Sequence, residues 1–594
     1  MNILGLGDHV SCGSALLQDG TFSSVIIDER LIREKMAFGV PRQSITKVLE
    51  ESGVQPHEVD RVAIATVNQH LINHYVDFHD GWFGLQRGAV KQVIFDVASK
   101  LSRAVSYLPF LPRLYYLTRQ PFYRQRRRML QHILRQEFDI EAPVEFVDHH
   151  YCHATSAYYS SGFDDALVVT IDGGGDGISS RVYDVDDGHF RDLHHVTSYN
   201  SLGAFYSYIT QISGFKAGRH EGKITGLAAH GQPRYIDLLR ELIRYEDGTF
   251  KNAGNIFFNS ALAELRQRLP RDFDRADLAA SIQAHTEDMV TQYVQYWLER
   301  CGKTNIAMAG GLFANVSVNR RVHEIPGVTG VFIHPGMSDE GMPVGAALSA
   351  YYDHPETRPE KRRVCMDHVY LGPDFDDETI RQALEREGIA ADYHPDIEAT
   401  IAAKLAEGAV VARFNGRLEY GPRALGNRSI LYQPTDPSVN DWLNTALQRT
   451  EFMPFAPSTL AEEAERCFLN VQGAHNTARF MTITFACTPW MRENCPGVVH
   501  VDGTARPQLV RAEDNPSYYA IIREYYRLTG LPSIINTSFN MHEEPIVCTP
   551  EDAIRAFKLG HLDYLAIGHY LARNPVPIER PQRVSAGRAV EQEP

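Results

Sequence analysis

Short apolar runs separated by glycine-bearing polar turns open the chain: Ile3-Leu4-Gly5-Leu6, then Ser14-Ala15-Leu16-Leu17, then Asp19-Gly20 and Ser23-Ser24-Val25-Ile26-Ile27. This pattern predicts a β-meander. The same layout returns at Ala166-Leu167-Val168-Val169-Thr170-Ile171, the turn Asp172-Gly173-Gly174-Gly175-Asp176-Gly177, the run Ile178-Ser179-Ser180-Arg181-Val182-Tyr183, and Asp187-Gly188. Two copies of one unit predict a duplicated α/β lobe. Apolar residues at Ile282, Met289, Val290, Tyr293, Val294 and Trp297 recur at helical spacing up to Gly302, and the buried strand Asn305-Ile306-Ala307-Met308-Ala309 follows.

The charged, proline-punctuated stretch around His354-Pro355-Glu356-Thr357-Arg358-Pro359 predicts a linker over residues 354–366. It divides a first lobe, 1–353, from a second, 367–580, and leaves a tail at 581–594. Residues 74–137 read as an insertion in the first lobe, and its basic run Arg124-Gln125-Arg126-Arg127-Arg128 reads as a solvated helix face.

Composition narrows the class. Of 594 residues, 43% are hydrophobic and 22% charged, which places the chain among globular proteins. A balance of 59 basic against 74 acidic residues, net −15, argues against nucleic acid as the main partner. No run approaches the roughly 18 to 20 apolar residues of a membrane span, and the N-terminus carries no basic leader, so a cytoplasmic protein without membrane attachment is expected. Eight dispersed cysteines without a C-x-x-C pair are expected to be reduced packing residues.

Against this background, Asp148-His149-His150-Tyr151-Cys152-His153 lies at a predicted strand-to-helix junction. On a helix His149 and His153 share one face, at a spacing that lets two imidazoles hold one metal ion. Asp172 ends a predicted buried strand and Asp339 sits in a glycine-bounded loop. Two histidines and two carboxylates suit a borderline divalent metal such as iron or zinc, although each aspartate also reads as a turn residue. The glycines of Asp172-Gly173-Gly174-Gly175-Asp176-Gly177 and Ala309-Gly310-Gly311-Leu312-Phe313-Ala314-Asn315 would let backbone amides approach phosphate. Paired loops of this kind resemble the actin, sugar-kinase and heat-shock ATPase superfamily. Past the linker, Arg413 to Ser429 is rich in arginine and glycine, with Arg449, Arg506 and Arg511 following, which suggests an anion site or else surface ion pairing.

Four blocks taken in order, Gly421-Pro422-Arg423-Ala424-Leu425-Gly426-Asn427-Arg428-Ser429-Ile430, Pro454-Phe455-Ala456-Pro457-Ser458, His500-Val501-Asp502-Gly503-Thr504-Ala505-Arg506-Pro507-Gln508 and Leu531-Pro532-Ser533-Ile534-Ile535-Asn536-Thr537-Ser538-Phe539-Asn540, resemble the NodU/CmcH family of O-carbamoyltransferases, which includes tobramycin carbamoyltransferase. The resemblance implies an actin/sugar-kinase/heat-shock-ATPase-like first lobe, related to threonylcarbamoyl-transferase, and a YrdC-like α/β second lobe. It implies an enzyme that makes carbamoyl adenylate from carbamoyl phosphate and ATP in the second lobe, then passes the carbamoyl group to a hydroxyl of a small molecule, as in antibiotic biosynthesis. It places metal ligands at His149, His153, Asp172 and Asp339, with Fe(II) the first choice, Zn or Mn as alternatives, and Mg accompanying ATP. Nucleotide contacts fall on Gly173, Gly174, Gly175, Gly310, Gly311 and Asn315, anion contacts on Arg423, Arg428, Arg449, Arg506 and Ser538, and catalytic roles on His9 and Lys35.

The chain departs from this pattern in two places. His9 stands one residue out of register in Asp8-His9-Val10-Ser11, with Val10 where relatives carry aspartate. Leu447 and Met453 replace a lysine and an arginine implicated in binding carbamoyl phosphate. Losing two charged hydrogen bonds of roughly 1.5 to 3 kcal/mol each leaves open a different donor in a related acyl or phosphoryl transfer, and the altered His9 region leaves open a non-enzymatic nucleotide-binding scaffold.

Overall fold

A computed structural model describes residues 1–85, 111–354, 366–448 and 455–576, the side chains of residues 111–116 excepted. Most of the expected linker, all of the expected tail, part of the insertion, and Arg449 and Met453 lie outside the described residues.

The first lobe holds two five-stranded sheets of identical topology. Strands β1 (Asn2–Gly7), β2 (Gly13–Gln18), β3 (Thr21–Ile27), β4 (Arg61–Ala65) and β5 (Val144–Val147) are arranged in the order β3-β2-β1-β4-β5. The meander β1–β3 is antiparallel, and β4 and β5 join it in parallel. Strands β6 (Asp165–Gly175), β7 (Ile178–Asp186) and β8 (His189–Thr197) form a second meander. A small hairpin, β9 (Arg244–Glu246) with β10 (Thr249–Lys251), stands apart, and β11 (Asn305–Ala309) and β12 (Gly330–Ile333) complete the order β12-β11-β6-β7-β8. Matching β1 to β6, β2 to β7, β3 to β8, β4 to β11 and β5 to β12 superposes every neighbour relation, so the expected duplication is present.

Each half contributes one helix to the middle of the lobe. His149–Ser161 follows β5 and Met342–Tyr352 follows the loop after β12. They cross where Gly345 meets Cys152: a Cβ on Gly345 would lie 1.9 Å from the Cys152 carbonyl oxygen. Glycine is needed there because the two backbones touch. The crossing brings the start of the first helix, with its histidines, beside the Asp339 loop that leads into the second. The predicted long helix runs Arg275–Cys301 and stops at Gly302, whose φ of 70° suits a left-handed C-cap.

The insertion corrects one expectation. Its helix Leu111–Phe138 exposes Arg124 and Arg128, but Arg126 is fully buried. Its Nε donates to Asp8 Oδ2 at 2.8 Å, Nη2 to Asp8 Oδ1 at 2.5 Å, and the guanidinium also reaches the carbonyls of Ala65 and Thr66 at 3.0 and 2.7 Å. Arg126 therefore pins the insertion to the ends of β1 and β4. Removing one partner of a buried, fully bonded pair strands the other, so Arg126→Met should lower stability by about 3–5 kcal/mol, read from urea denaturation.

The second lobe is built on an eight-stranded mixed sheet. Its strands are β13 (Ala391–Tyr393), β14 (Val411–Phe414), β15 (Arg428–Tyr432), β16 (Ala456–Leu460), β19 (Gln508–Val510), β20 (Ser533–Ser538), β21 (Tyr564–Ile567) and β22 (Tyr570–Arg573), ordered β13-β22-β21-β14-β15-β20-β16-β19. A two-stranded ribbon, β17 (Phe485–Ala486) with β18 (Thr504–Ala505), lies apart. Apolar packing runs uninterrupted from lobe to lobe: Tyr420, Leu425, Ala456, Phe480 and Met481 share a cluster with Val168, Ala309 and Phe332. Among the described residues no helix is long and apolar enough to cross a membrane. The described cysteines are all unpaired, and all but Cys301 are buried.

Candidate functional site at the lobe interface

Asp148 caps the helix His149–Ser161 by accepting the Tyr151 amide at 3.0 Å. Asp176, in the glycine-rich turn after β6, accepts the amides of His149, Val67 and Asn68 at 2.9, 3.0 and 2.6 Å. These bonds fix where the first helical turn begins, and with it both histidines. The His149 Nδ1 lies 3.2 Å from Thr66 Oγ1, which leaves Nε2 to face Asp172 Oδ2 at 3.1 Å and Asp339 Oδ1 at 3.8 Å. His153 Nε2 lies 3.6 Å from Asp339 Oδ1 and 3.9 Å from Asp172 Oδ2. Four potential ligand atoms, from His149, His153, Asp172 and Asp339, thus lie within 4.8 Å of one another.

The fit to a dication is chemical as well as spatial. Among the described residues both ring nitrogens of His153 and Oδ1 of Asp339 are buried without a hydrogen-bond partner, an expensive condition for polar atoms unless a ligand satisfies them. Burial opposes protonation of His153, yet the flanking carboxylates overcome it and lift its pKa to about 9. Burial would raise the pKa of Asp172, but the two imidazoles hold it well below the carboxylate range. Without an ion the cluster draws in protons; two carboxylates and two neutral imidazoles balance one dication.

Steric detail protects this arrangement. A Cβ on Gly175 would fall 2.1 Å from His149 Cγ, and one on Gly311 would fall 2.8 Å from Asp172 Oδ1. Gly175→Ala should therefore displace the His149 ring and reduce bound metal by at least about tenfold, measured by elemental analysis of the purified variant.

The glycine loops converge on the same aspartate. Gly311 donates its amide to Asp172 Oδ1 at 3.2 Å, Gly310 takes φ 108°, and Gly173 faces open space beside Asp172. Gly174, at φ 149°, packs against Ser198. Asn315 is committed elsewhere: its side chain exchanges two hydrogen bonds with Gln283, at 2.8 and 3.1 Å, and caps the helix Val316–His323.

His9 adjoins the quartet despite its offset in sequence. Nδ1 lies 3.1 Å from the Val10 carbonyl and 3.4 Å from Asp339 Oδ2, and its ring is 6.0 Å from that of His149. Burial and the charge of His149 lower its pKa against the pull of Asp339, and its Nε2 is buried without a hydrogen bond among the described residues. Lys35 is exposed and lies beside Glu543 of the second lobe.

Across the interface, the four signature blocks interlock. Glu419 Oε1 accepts the amides of Leu425, Asn427 and Arg428 at 2.9, 2.7 and 3.0 Å and shapes the Gly421–Ser429 loop from within. Asn536 bridges Ser458, Gln508 and the Ala424 carbonyl, and Gln508 reaches the Leu425 carbonyl at 2.8 Å. This packing holds Arg423 and Arg506 near each other, both half-buried, with each Nε buried and lacking a hydrogen bond among the described residues. Burial and then the Arg423 charge push the Arg506 pKa well below its ordinary value. A like-charged, half-buried pair of this kind invites an anion. Arg428 is held more firmly: its Nη1 donates to the carbonyls of Asn415, Gly416 and Asn427 and its guanidinium stacks 3.6 Å from the Phe414 ring centroid, which braces the loop, while its Nε too lacks a hydrogen bond among the described residues. Ser538 ends β20 opposite Ser429. Leu447 is buried in the apolar core.

The two sites meet through one segment. Glu340, next to Asp339, is the carboxylate that acts on Arg423, and burial pushes its own pKa up to about 7. Tyr420 bonds His334 at 3.0 Å and the Glu340 carbonyl at 3.2 Å, while Arg30 donates to the Gly421 carbonyl at 2.9 Å. Thr66, Asp176, Glu340 and Glu419 received no role from sequence reasoning because nothing in the local sequence marks which distant group each of them meets.

Fold and site together define a two-lobed α/β enzyme with a His2Asp2 cluster facing a cationic second lobe. The chain belongs to the carbamoyltransferase family: residues 2–348 match the carbamoyltransferase N-terminus and residues 402–574 the carbamoyltransferase C-terminus. It is a transferase, which closes the scaffold alternative. A protein of Synechocystis sp. is 30% identical over 98% of both chains. The nodulation protein NolNO of Sinorhizobium fredii is 32% identical, covering 94% of this chain and 78% of its own. Among solved structures, full-length HypF in its phosphate- and nucleotide-bound form matches 59% of this chain and 55% of its own at 13% identity, with a TM-score of 0.36.

Proposed function

We propose that the protein is an ATP-dependent O-carbamoyltransferase whose second lobe makes carbamoyl adenylate and whose first lobe delivers the carbamoyl group to a hydroxyl of a small metabolite. The observation that carries this reading is the junction of the His149–His153–Asp172–Asp339 cluster with the Arg423–Arg506 pair through Asp339-Glu340 and Tyr420-Gly421.

In the second lobe Arg423 and Arg506 neutralise the phosphoryl oxygens of carbamoyl phosphate. Water releases phosphate, and an oxygen of the resulting carbamate attacks the α-phosphorus of ATP, expelling pyrophosphate and leaving the mixed anhydride. In the first lobe the open backbone at Gly173 and the Gly310–Gly311 turn accommodate nucleotide phosphates. A dication bound by His149, His153, Asp172 and Asp339, with Fe(II) the first candidate, would supply Lewis acidity to the carbamoyl carbonyl or the phosphate. His9 Nε2 accepts the proton of the acceptor hydroxyl as its oxygen attacks the carbamoyl carbon, and AMP departs. Water must be excluded while the anhydride exists, which suits a site enclosed between two lobes.

The test is ATP–pyrophosphate exchange by the purified protein, expected only when carbamoyl phosphate is present. Complete absence of exchange beside an active control enzyme would overturn the reading. A different donor is the second reading, favoured by Leu447: an apolar residue packed in the core supplies no charge where relatives carry lysine. A donor screen with mass spectrometry of the product separates the two.

A further inference from the structure

Strand β4 ends at Ala65, and the next residue, Thr66, is buried and takes a backbone φ of 71°. In this left-handed region Cβ crowds the following carbonyl, and a β-branched side chain enters it at a greater cost than glycine or asparagine would. Such a conformation persists only where the surroundings hold it. The Thr66 amide donates to the Val147 carbonyl at 2.8 Å. Its carbonyl accepts Arg126 Nη1 at 2.7 Å, and the same guanidinium is bonded to Asp8. The next two amides, of Val67 and Asn68, donate to the two oxygens of Asp176, whose Oδ2 also takes the His149 amide. One carboxylate thus registers the turn on the first residue of the helix His149–Ser161, while a guanidinium of the insertion helix holds it from the other side. What the strained threonine supplies is an oxygen carried directly on Cβ: Oγ1 lies 3.2 Å from His149 Nδ1. Glycine lacks such an atom, and asparagine would carry its polar atoms one bond farther out.

We propose that Thr66 is a positioning residue of the metal centre: Arg126 and Asp176 clamp its backbone in the left-handed region so that Oγ1 accepts the Nδ1–H of His149 and aims Nε2 at the ion. A histidine that gives Nε2 to a metal carries its proton on Nδ1, and that N–H needs an acceptor to fix both the tautomer and the ring orientation. A hydroxyl oxygen can accept there. The strain at Thr66 is then the cost of placing that oxygen, and the insertion helix takes part in the metal centre without contributing a ligand to it. The proposal rests on His149, His153, Asp172 and Asp339 being the ligands of a dication.

Cobalt(II) binding to the metal-free full chain, followed by its visible ligand-field bands and by competition with a chelator, tests the proposal together with urea denaturation of the same metal-free preparations. Thr66→Ser keeps the oxygen and should match the parent in cobalt affinity and band positions. Thr66→Ala and Thr66→Gly lose it and should each bind cobalt about tenfold or more weakly, with shifted bands. Their stabilities should fall in an inverted order. Alanine ordinarily outranks glycine, but at a φ of 71° only alanine keeps a Cβ that clashes, so Thr66→Gly should have the higher urea midpoint. A similar loss of affinity in two variants of different stability does not come from damage to the fold. Parent-like cobalt affinity in Thr66→Ala, a loss in Thr66→Ser as large as in Thr66→Ala, or a lower urea midpoint in Thr66→Gly than in Thr66→Ala would each overturn the proposal. A parent that takes up no cobalt would overturn the metal reading and this proposal with it, whereas parent binding with no effect of Thr66→Ala sinks the proposal alone. None of these readouts involves turnover, so a failure of ATP–pyrophosphate exchange would leave them intact.

Discussion

Replacing His153 with alanine should reduce carbamoylation of the acceptor by about a thousandfold or more while leaving carbamoyl-phosphate-dependent ATP–pyrophosphate exchange largely intact. His153 is fully buried, yet neither ring nitrogen makes a hydrogen bond among the described residues. Its removal therefore costs packing volume but strands no polar partner except the carboxylates that would share the ion. The expected signature is a split: metal content falls, transfer falls, and second-lobe exchange persists because Arg423 and Arg506 are untouched. Elemental analysis and both activity assays on one preparation check it. Retention of metal and of acceptor carbamoylation would remove the quartet from the mechanism.

Arg506→Met should show the reverse split and an unusual stability effect. Carbamoyl-phosphate-dependent exchange should fall by about a hundredfold, whereas resistance to urea should stay level or increase. Arg423 and Arg506 are half-buried like charges near each other, so an apolar side chain of similar length at 506 relieves both desolvation and repulsion. A site that costs stability in order to bind an anion behaves in this way. A destabilised variant with unchanged exchange would make Arg506 a structural residue. Arg428 offers the contrast: its guanidinium holds backbone carbonyls, so its loss should first appear as lower stability.

The contrast between these arginines shows how far sequence reading reached. Gly421-Pro422-Arg423-Ala424-Leu425-Gly426-Asn427-Arg428 displays two arginines alike, and only the folded surroundings separate Arg423, half-buried beside Arg506, from Arg428, fully buried with its Nη1 engaged by three carbonyls. The same holds for Arg126, one of several basic residues along a helix where Arg124 and Arg128 face solvent while Arg126 reaches Asp8. Asn315 follows a glycine pair as a phosphate-contacting residue would, yet Gln283, 32 residues away in sequence, takes its amide.

By itself the chain's sequence determined the duplicated meander, the helix that ends at Gly302, the i,i+4 histidine pair and the membership of a family. Each of these rests on local periodicity, turn chemistry or a contiguous block, and local rules survive in any tertiary context. Only the folded structure decided which polar residues meet. The Gly345–Cys152 crossing, the Arg126–Asp8 pair and the Asn536 bridge to Ala424 join positions more than a hundred residues apart, and no short-range pattern encodes such distances.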